Sequence, residues 1–205
     1  MRKVLLSMAA VFLAAPAFAG EFNKVLSAGD KAPDFAGLQA VAPNGEQTSL
    51  TLSDVKDDVV VVVFLSNLCP VVKAVEDRLN ELTAEYKDKG VRVIGVCTNI
   101  QKGNTLADVK TRLDDPGDGK INYVYAHDDA GQSMGKAYGA VVTPSCFVLD
   151  KDRKIAYLGA VDDNQMKEDK VSKHFLKDAI DAVLAGKTPE VTETRATGCG
   201  IPYGK

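Results

Sequence analysis

One cysteine of this chain stands where its sulfur could act as a nucleophile. Cys69 follows an apolar run that ends in Leu65 and precedes Pro70, after which apolar residues recur at helical spacing. This pattern places Cys69 between a buried strand and the first turn of a helix. Backbone N–H groups and the positive end of the helix dipole stabilise a thiolate there, and the thiolate is the reactive form. The sequence therefore predicts that Cys69 attacks a substrate.

The elements around Cys69 predict a sheet with helices on both faces. Strand 58–65, helix 71–89 and strand 91–97 form a β-α-β unit, which favours parallel strands and a right-handed crossover. The remaining predicted elements are a hairpin over 35–52, a helix over 105–113, a polar loop over 114–120, a strand over 121–126, a helix over 132–138, a hairpin of strands 145–150 and 154–159, and a helix over 171–184. Reactive groups in such sheets collect at the carboxyl ends of parallel strands. Cys69, Cys97 and His127 all follow or end a predicted strand.

The first residues predict export. Arg2 and Lys3 form a basic start, residues 4–13 are almost wholly apolar, and Ala17-Phe18-Ala19 supplies a small-x-small cleavage pattern. We expect a signal peptide over 1–19, cleaved after Ala19, and a periplasmic or secreted protein without a membrane segment after cleavage. An uncleaved membrane anchor is the weaker alternative.

Length and composition favour one domain. The chain has 205 residues, a formal charge of −3 and four cysteines, too few for a disulfide scaffold. A mildly acidic chain without a basic stripe gives no reason to expect nucleic acid as a partner. We expect a single α/β domain over 20–186 and a C-terminal tail over 187–205 that carries Cys199.

Four stretches resemble the thioredoxin-fold redoxins of the peroxiredoxin-like (alkyl hydroperoxide reductase/thiol-specific antioxidant) family. They are Gly29-Asp30-Lys31-Ala32-Pro33-Asp34-Phe35, Ser66-Asn67-Leu68-Cys69-Pro70, residues 136–140 with Thr143-Pro144, and Gly198-Cys199-Gly200-Ile201. The resemblance implies a thioredoxin-like α/β fold, with a central mixed sheet flanked by helices, an N-terminal β-hairpin extension and a C-terminal tail. It also implies a thiol-dependent oxidoreductase.

The resemblance assigns roles to individual residues. Ser66 occupies the family's Thr/Ser position, three residues before the cysteine, where its hydroxyl could donate to the thiolate or to a bound peroxide. Thr143-Pro144 corresponds to the family's cis-proline segment, so we expect a cis bond there. The chain departs from thioredoxins at Val72, where a second active-site cysteine would stand. It departs from peroxiredoxins at Val62, the place of a proline, and in having no arginine before Phe147 to polarise a peroxide.

Cys69 then needs a distant cysteine to resolve its oxidised form. Cys199 is our first choice, since a Gly-flanked tail closes a loop at modest entropic cost. Cys97, at the end of a neighbouring strand, is second. Cys146 is third, because it reads as a small buried hydrophobe. The catalytic set that we predict is therefore Cys69, Cys199, Ser66, Thr143 and Pro144.

Several functions remain open on the sequence. Thr143-Pro144 favours disulfide exchange, and Ser66-x-x-Cys69 favours hydroperoxide reduction. The substrate would be a thiol/disulfide protein or a small-molecule peroxide, and the electrons would come from an external thiol reductant. A non-catalytic binding protein with a structural Cys69–Cys199 disulfide is the alternative. A copper or zinc site of Cys69 with Cys199 or His127 is a weaker one, and we expect no cofactor.

Overall fold

A computed structural model describes residues 20–114, 121–128 and 130–204 of the chain, apart from the side chain of Asp114. Seven strands form one sheet in the order β2-β1-β5-β4-β3-β7-β8, and β6 and β9 form a separate pair. The strands are β1 Leu38–Val41, β2 Gln47–Leu50, β3 Val59–Leu65, β4 Val91–Cys97, β5 Val124–His127, β6 Val142–Thr143, β7 Ser145–Leu149, β8 Ile155–Gly159 and β9 Cys199–Gly200. The helices are α1 Pro70–Glu85, α2 Leu106–Asp114, α3 Ser133–Tyr138 and α4 Phe175–Leu184. Short 3-10 turns lie at Leu52–Asp54 and Glu168–Lys170.

β3 lies at the centre of the sheet, and every one of its residues is buried. It runs parallel to β4 and antiparallel to β7, and β4 runs parallel to β5. Its five consecutive valines suit a strand covered on both faces, because β-branched side chains pack well on a pleated surface. The predicted β-α-β unit and the mixed central sheet are confirmed.

The two predicted hairpins are also confirmed. β1 and β2 pair antiparallel at one edge of the sheet, and the turn between them places Gly45 at φ +82°. β7 and β8 pair at the other edge across the turn 150–154. There the Asp150 side chain accepts the N–H groups of Asp152 and Lys154. Each edge of the sheet is therefore formed by the outer strand of a local hairpin.

The sheet separates two hydrophobic cores. One core packs side chains of α1, α2 and α4 against the face of β3 that carries Val59, Val61 and Val63. The other packs α3 and the N-terminal segment around Phe35 against the face that carries Val60 and Val62. Helices therefore cover both faces, as the fold class predicts.

A strand and a helix begin later than predicted, and hydrogen bonds to a single polar residue explain each difference. The strand expected from residue 121 begins at Val124, because Asn80 binds both the backbone N–H and the side-chain amide of Asn122. The helix expected from Val171 begins at Phe175, because the Asp163 carboxylate accepts the N–H groups of Ser172 and Lys173. Most of the predicted loop 114–120 and the whole signal segment 1–19 lie outside the described residues. No described helix is long and apolar enough to cross a membrane.

The tail holds a strand that hydrophobic periodicity did not reveal. β9 has two residues and pairs antiparallel with β6, with Cys199 opposite Thr143. Before it, the tail runs along β8: Leu158 donates to the Thr192 carbonyl and accepts from the Thr194 amide. Main-chain hydrogen bonds therefore attach two parts of the tail to the domain: residues 192–194 bind β8, and β9 binds β6.

Candidate active site

Cys69 is the residue immediately before α1, and Pro70 is the first residue of that helix. Its N–H donates to the Ser66 carbonyl, and its own carbonyl accepts from Lys73 in the first turn. Proline suits the first helical position because the amide proton it lacks would have no partner within the helix. The predicted junction between strand and helix is confirmed, and Cys69 is only 1% exposed.

The sulfur of Cys69 lies against the segment before β7. It is 3.2 Å from the carbonyl oxygen of Thr143, to which the thiol donates. The Thr143-Pro144 peptide bond is cis, as predicted. The Thr143 hydroxyl is buried without an oxygen or nitrogen partner in the described part of the chain, so its proton is available to a thiolate.

Cys199 is placed beside Cys69 by the pairing of β9 with β6. Gly198 is necessary for that approach: it has φ +154°, and a Cβ added to it would lie 2.0 Å from the Thr143 carbonyl oxygen. A larger residue would push the tail away from β6. Cys199 thus lies opposite Thr143, whose carbonyl oxygen accepts from the Cys69 thiol, and both cysteines are unbridged here.

The surroundings of Cys69 favour its thiolate. Burial by itself raises the pKa of Cys69, but hydrogen bonds from the Cys199 thiol, the Val72 amide and the Thr143 hydroxyl outweigh it, so the pKa is lowered. Burial, the hydrogen bond to Cys69 and the charge of Cys69 raise the pKa of Cys199 to about 11. Cys69 is therefore ionised first, and Cys199 holds the proton that stabilises it.

The Ser66 hydroxyl binds two amide side chains in this structure. Its Oγ donates to Asn104 Oδ1 at 3.0 Å and accepts from Asn99 Nδ2 at 3.1 Å. A hydroxyl has a single proton, and here it belongs to a buried amide network. Asn104 Oδ1 also accepts the N–H of Asn67, which fixes the loop before Cys69.

The Redoxin family matches residues 27–174, which include β1 to β8 and Cys69. The chain belongs to the Redoxin family. It is 34% identical over 93 residues to the thiol-disulfide oxidoreductase ResA of Oceanobacillus iheyensis, an alignment that covers 45% of this redoxin and 48% of that protein. This redoxin thus spans about half the length of that relative.

Solved structures share the fold of this redoxin over most of its length. A hypothetical protein from Sinorhizobium meliloti 1021 has a TM-score of 0.75 and 31% identity, over 89% of this chain and 97% of that one. The reduced 2-Cys peroxiredoxin of Plasmodium vivax has a TM-score of 0.61 at 16% identity, over 78% of this chain and 83% of that one. The second likeness shows the fold alone. Both agree with the predicted thioredoxin-like architecture.

The other two cysteines of the redoxin are buried. Cys97 ends β4, its thiol donates to the Asn104 carbonyl at 3.4 Å, and burial raises its pKa to about 11. Cys146 lies in β7 opposite Val63, and burial raises its pKa far above the usual range. A neutral, buried thiol is a poor nucleophile. The geometry thus brings Cys199 to Cys69 and leaves Cys97 and Cys146 as packing residues.

The structure gives little support to a metal site. His127 is on β5, and β4 separates that strand from β3. Its Nε2 has no hydrogen-bond partner among the described residues, and the side chain lines a cavity of about 570 Å³ with Asp34 and Ser133. Within the described ranges no three Cys, His, Asp or Glu side chains are grouped to hold an ion.

Sequence reasoning missed the side chains that hold the tail and the loop. Gln165 Nε2 donates to the Thr197 carbonyl at 2.7 Å, directly before Gly198. Gln132 binds the Pro202 carbonyl and the Gly204 amide after β9. Long-range contacts of single polar side chains leave no periodic pattern, so no sequence signal marked them.

Proposed function

We propose that this redoxin is an extracytoplasmic thiol-disulfide oxidoreductase with Cys69 as nucleophile and Cys199 as resolving thiol. One observation carries the proposal: Thr143 pairs with Cys199 across β6 and β9, and the same residue's carbonyl oxygen lies 3.2 Å from the Cys69 sulfur. The thiol-disulfide oxidoreductase name of the Oceanobacillus relative supports the same class of reaction.

The proposed reaction is two successive thiol-disulfide exchanges. The Cys69 thiolate attacks one sulfur of a substrate disulfide, forms a mixed disulfide and expels the other sulfur as a thiolate. Cys199 then loses its proton and attacks the Cys69 sulfur, which forms the Cys69–Cys199 bond and releases the second substrate thiolate. The substrate gains two electrons and the redoxin loses two. An external dithiol returns the redoxin to its reduced form.

Substrate access requires the tail to move. Cys69 is 1% exposed, whereas its neighbour Leu68 is 62% exposed and Val141, directly before β6, is 64% exposed. β9 contributes only a two-residue ladder with β6, so its displacement breaks few main-chain hydrogen bonds. We propose that the substrate polypeptide lies against Leu68 and Val141 when the tail withdraws.

Peroxide reduction is the second candidate, and the Ser66-x-x-Cys69 spacing favours it. The amide network argues against it, because Ser66 gives its proton to Asn104 rather than to a peroxide beside the sulfur. A non-catalytic protein with a permanent Cys69–Cys199 bond would use the same two residues. Repeated reduction and re-formation of that bond in the presence of substrate distinguishes an enzyme from such a protein.

Export and division of the chain belong to the same proposal. We propose that residues 1–19 are a signal peptide, that 20–186 form the redoxin domain and that 187–205 form a tail that serves the active site. The basic start, apolar run and Ala17-Phe18-Ala19 pattern support export. The protein would then act in the periplasm or outside the cell.

Stopped-flow kinetics distinguishes these activities. The reduced protein is mixed with a peptide disulfide or with hydrogen peroxide, and the loss of the Cys69 thiol is followed. We expect fast reaction with the disulfide, a peroxide rate close to that of free cysteine, and neither reaction in Cys69→Ser. A Cys69 that reacts with peroxide orders of magnitude faster than free cysteine, and slowly with disulfides, would reverse the assignment.

A further inference from the structure

Three backbone N–H groups of the N-terminal segment bind one carboxylate of the tail, that of Glu193. Glu193 Oε1 accepts the N–H groups of Phe22 at 2.7 Å and Asn23 at 2.8 Å, and Oε2 accepts that of Glu21 at 2.9 Å. A carboxylate offers about four lone-pair sites. The described residues use three of them, two on Oε1 and one on Oε2.

Gly20 lies directly against the same carboxylate. A Cβ added to Gly20 would be 2.4 Å from Glu193 Oε2 and 2.5 Å from Oε1, so a side chain at this position would displace it. The Gly20 nitrogen is bonded to the Cα that would carry this Cβ. Gly20 is also the residue that follows the predicted cleavage site, so cleavage would free a nitrogen directly before the three N–H groups that bind Glu193.

We propose that Glu193 is the docking site for the α-ammonium group of Gly20, created when an export protease hydrolyses the Ala19–Gly20 bond. Water adds across that bond: Ala19 keeps the new carboxylate, and Gly20 leaves as an amine that takes up a proton at neutral pH. The ammonium replaces a neutral amide with a full positive charge beside the carboxylate. A charged donor strengthens such a hydrogen bond.

The docking site connects two segments that flank the candidate active site. Asn23 donates through Nδ2 to the Tyr138 carbonyl at 2.8 Å, shortly before β6. Glu193 lies between Thr192 and Thr194, which bind Leu158 of β8 and start the path to Cys199. Removal of the signal peptide thus adds an ionic contact to the hydrogen bonds that already join the N-terminal segment to the tail. The inference rests on the proposed cleavage after Ala19, and it holds whether or not Cys69 is catalytic.

The α-amino pKa provides the first test. The protein is exported from a bacterial host, its amino terminus is read by mass spectrometry, and the pH dependence of amine labelling is measured at Gly20. We expect a terminus at Gly20 and an α-amino pKa above the ordinary value of about 7.7–8.0, since an opposite charge favours the charged form. Glu193→Gln should restore the ordinary value, and Glu190→Gln, at an exposed tail residue, should leave it raised. A terminus elsewhere, or an ordinary pKa in the unmodified protein, would overturn the proposal.

Removal of the charge provides the second test. Transamination converts the α-amine of Gly20 to an uncharged carbonyl group, and the unfolding equilibrium is compared before and after. We expect the unfolding constant to rise roughly two- to fivefold, the range for a partly exposed ion pair, and to stay constant in Glu193→Gln. An equal rise in both proteins would contradict docking on Glu193. If Glu193→Gln does not fold, Gly20→Ala serves instead: it should lower the α-amino pKa towards its ordinary value, and an unchanged pKa would contradict the proposal.

Discussion

The Cys69 sulfur lies 3.2 Å from the carbonyl oxygen of Thr143, and Thr143 is also the partner of Cys199 across β6 and β9. One residue therefore positions both thiols. The chain has Val72 where a thioredoxin would carry a second cysteine, and Cys199 of the tail is the cysteine that pairs with Thr143. This placement of Cys199 depends on Gly198, where a Cβ would collide with the Thr143 carbonyl oxygen.

Removal of Cys199 should trap the reaction at its midpoint. Cys199→Ser keeps the nucleophile but cannot resolve a mixed disulfide, so reaction with an aromatic disulfide should leave one adduct on Cys69. Mass spectrometry of the intact protein and of its peptides would detect it. Cys146→Ser, at a buried thiol in β7, is the control and should turn over normally. Turnover of Cys199→Ser at the rate of the unmodified protein would show that another thiol resolves Cys69.

Gly198 should matter far more than Gly200, although both adjoin Cys199. A Cβ at Gly198 would meet the Thr143 carbonyl at 2.0 Å, whereas one at Gly200 meets nothing within 4 Å. Gly198→Ala should slow formation of the Cys69–Cys199 bond at least about tenfold, because the tail thiol loses its high effective concentration. Gly200→Ala is the matched control. The rate of bond closure after oxidation measures both, and equal rates would contradict the placement of the tail.

The thiols should titrate in a defined order. Cys69 has a lowered pKa and Cys199 one of about 11, so thiolate absorbance near 240 nm should show a first step below about 8.5, the ordinary thiol value. Cys69→Ser should abolish that step. Cys199→Ala should move it upwards, because the hydrogen bond that favours the thiolate is lost. A first step unchanged by Cys69→Ser would assign the low pKa to another cysteine.

The same shifts determine how the stability of the reduced protein varies with pH. The folded Cys69 thiol releases its proton at lower pH than the unfolded thiol, so its contribution increases between its lowered pKa and about 8.5. Cys199 contributes in the opposite sense: its stabilisation is complete below about 8.5 and is lost as the pH rises to about 11. Urea unfolding of Cys69→Ser and Cys199→Ser across this range separates the two contributions. Cys69→Ser should lose the increase in stability with pH, and Cys199→Ser should lose the decrease at higher pH.

The amide network should support the loop rather than the chemistry. Asn104→Ala leaves the Ser66 hydroxyl and the Asn67 N–H without their acceptor, and each unsatisfied buried group costs about 1–3 kcal/mol. Ser66→Ala removes one hydroxyl and should cost about 1 kcal/mol, with disulfide exchange changed by less than about twofold. Denaturant unfolding and exchange kinetics measure these effects. A tenfold slower exchange in Ser66→Ala, at unchanged stability, would return Ser66 to a catalytic role.

Sequence reasoning recovered what local patterns and a family resemblance encode. The buried valine run predicted β3, Pro70 marked the start of α1, and the resemblance gave the cis bond at Pro144. It could not place the tail, because a two-residue strand is too short to show alternation. It also could not identify the acceptor of the Ser66 hydroxyl, which is on Asn104, 38 residues away in the chain.

The reduction potential of the Cys69–Cys199 pair tests the central claim most directly. The protein is equilibrated with graded thiol/disulfide buffers, quenched with acid, and the fraction carrying that bond is measured by peptide mass spectrometry. A cycling pair should have a potential well above about −300 mV, the level below which structural disulfides resist reduction. A potential below that level, or an oxidised form in which Cys69 is bound to a cysteine other than Cys199, would contradict the account.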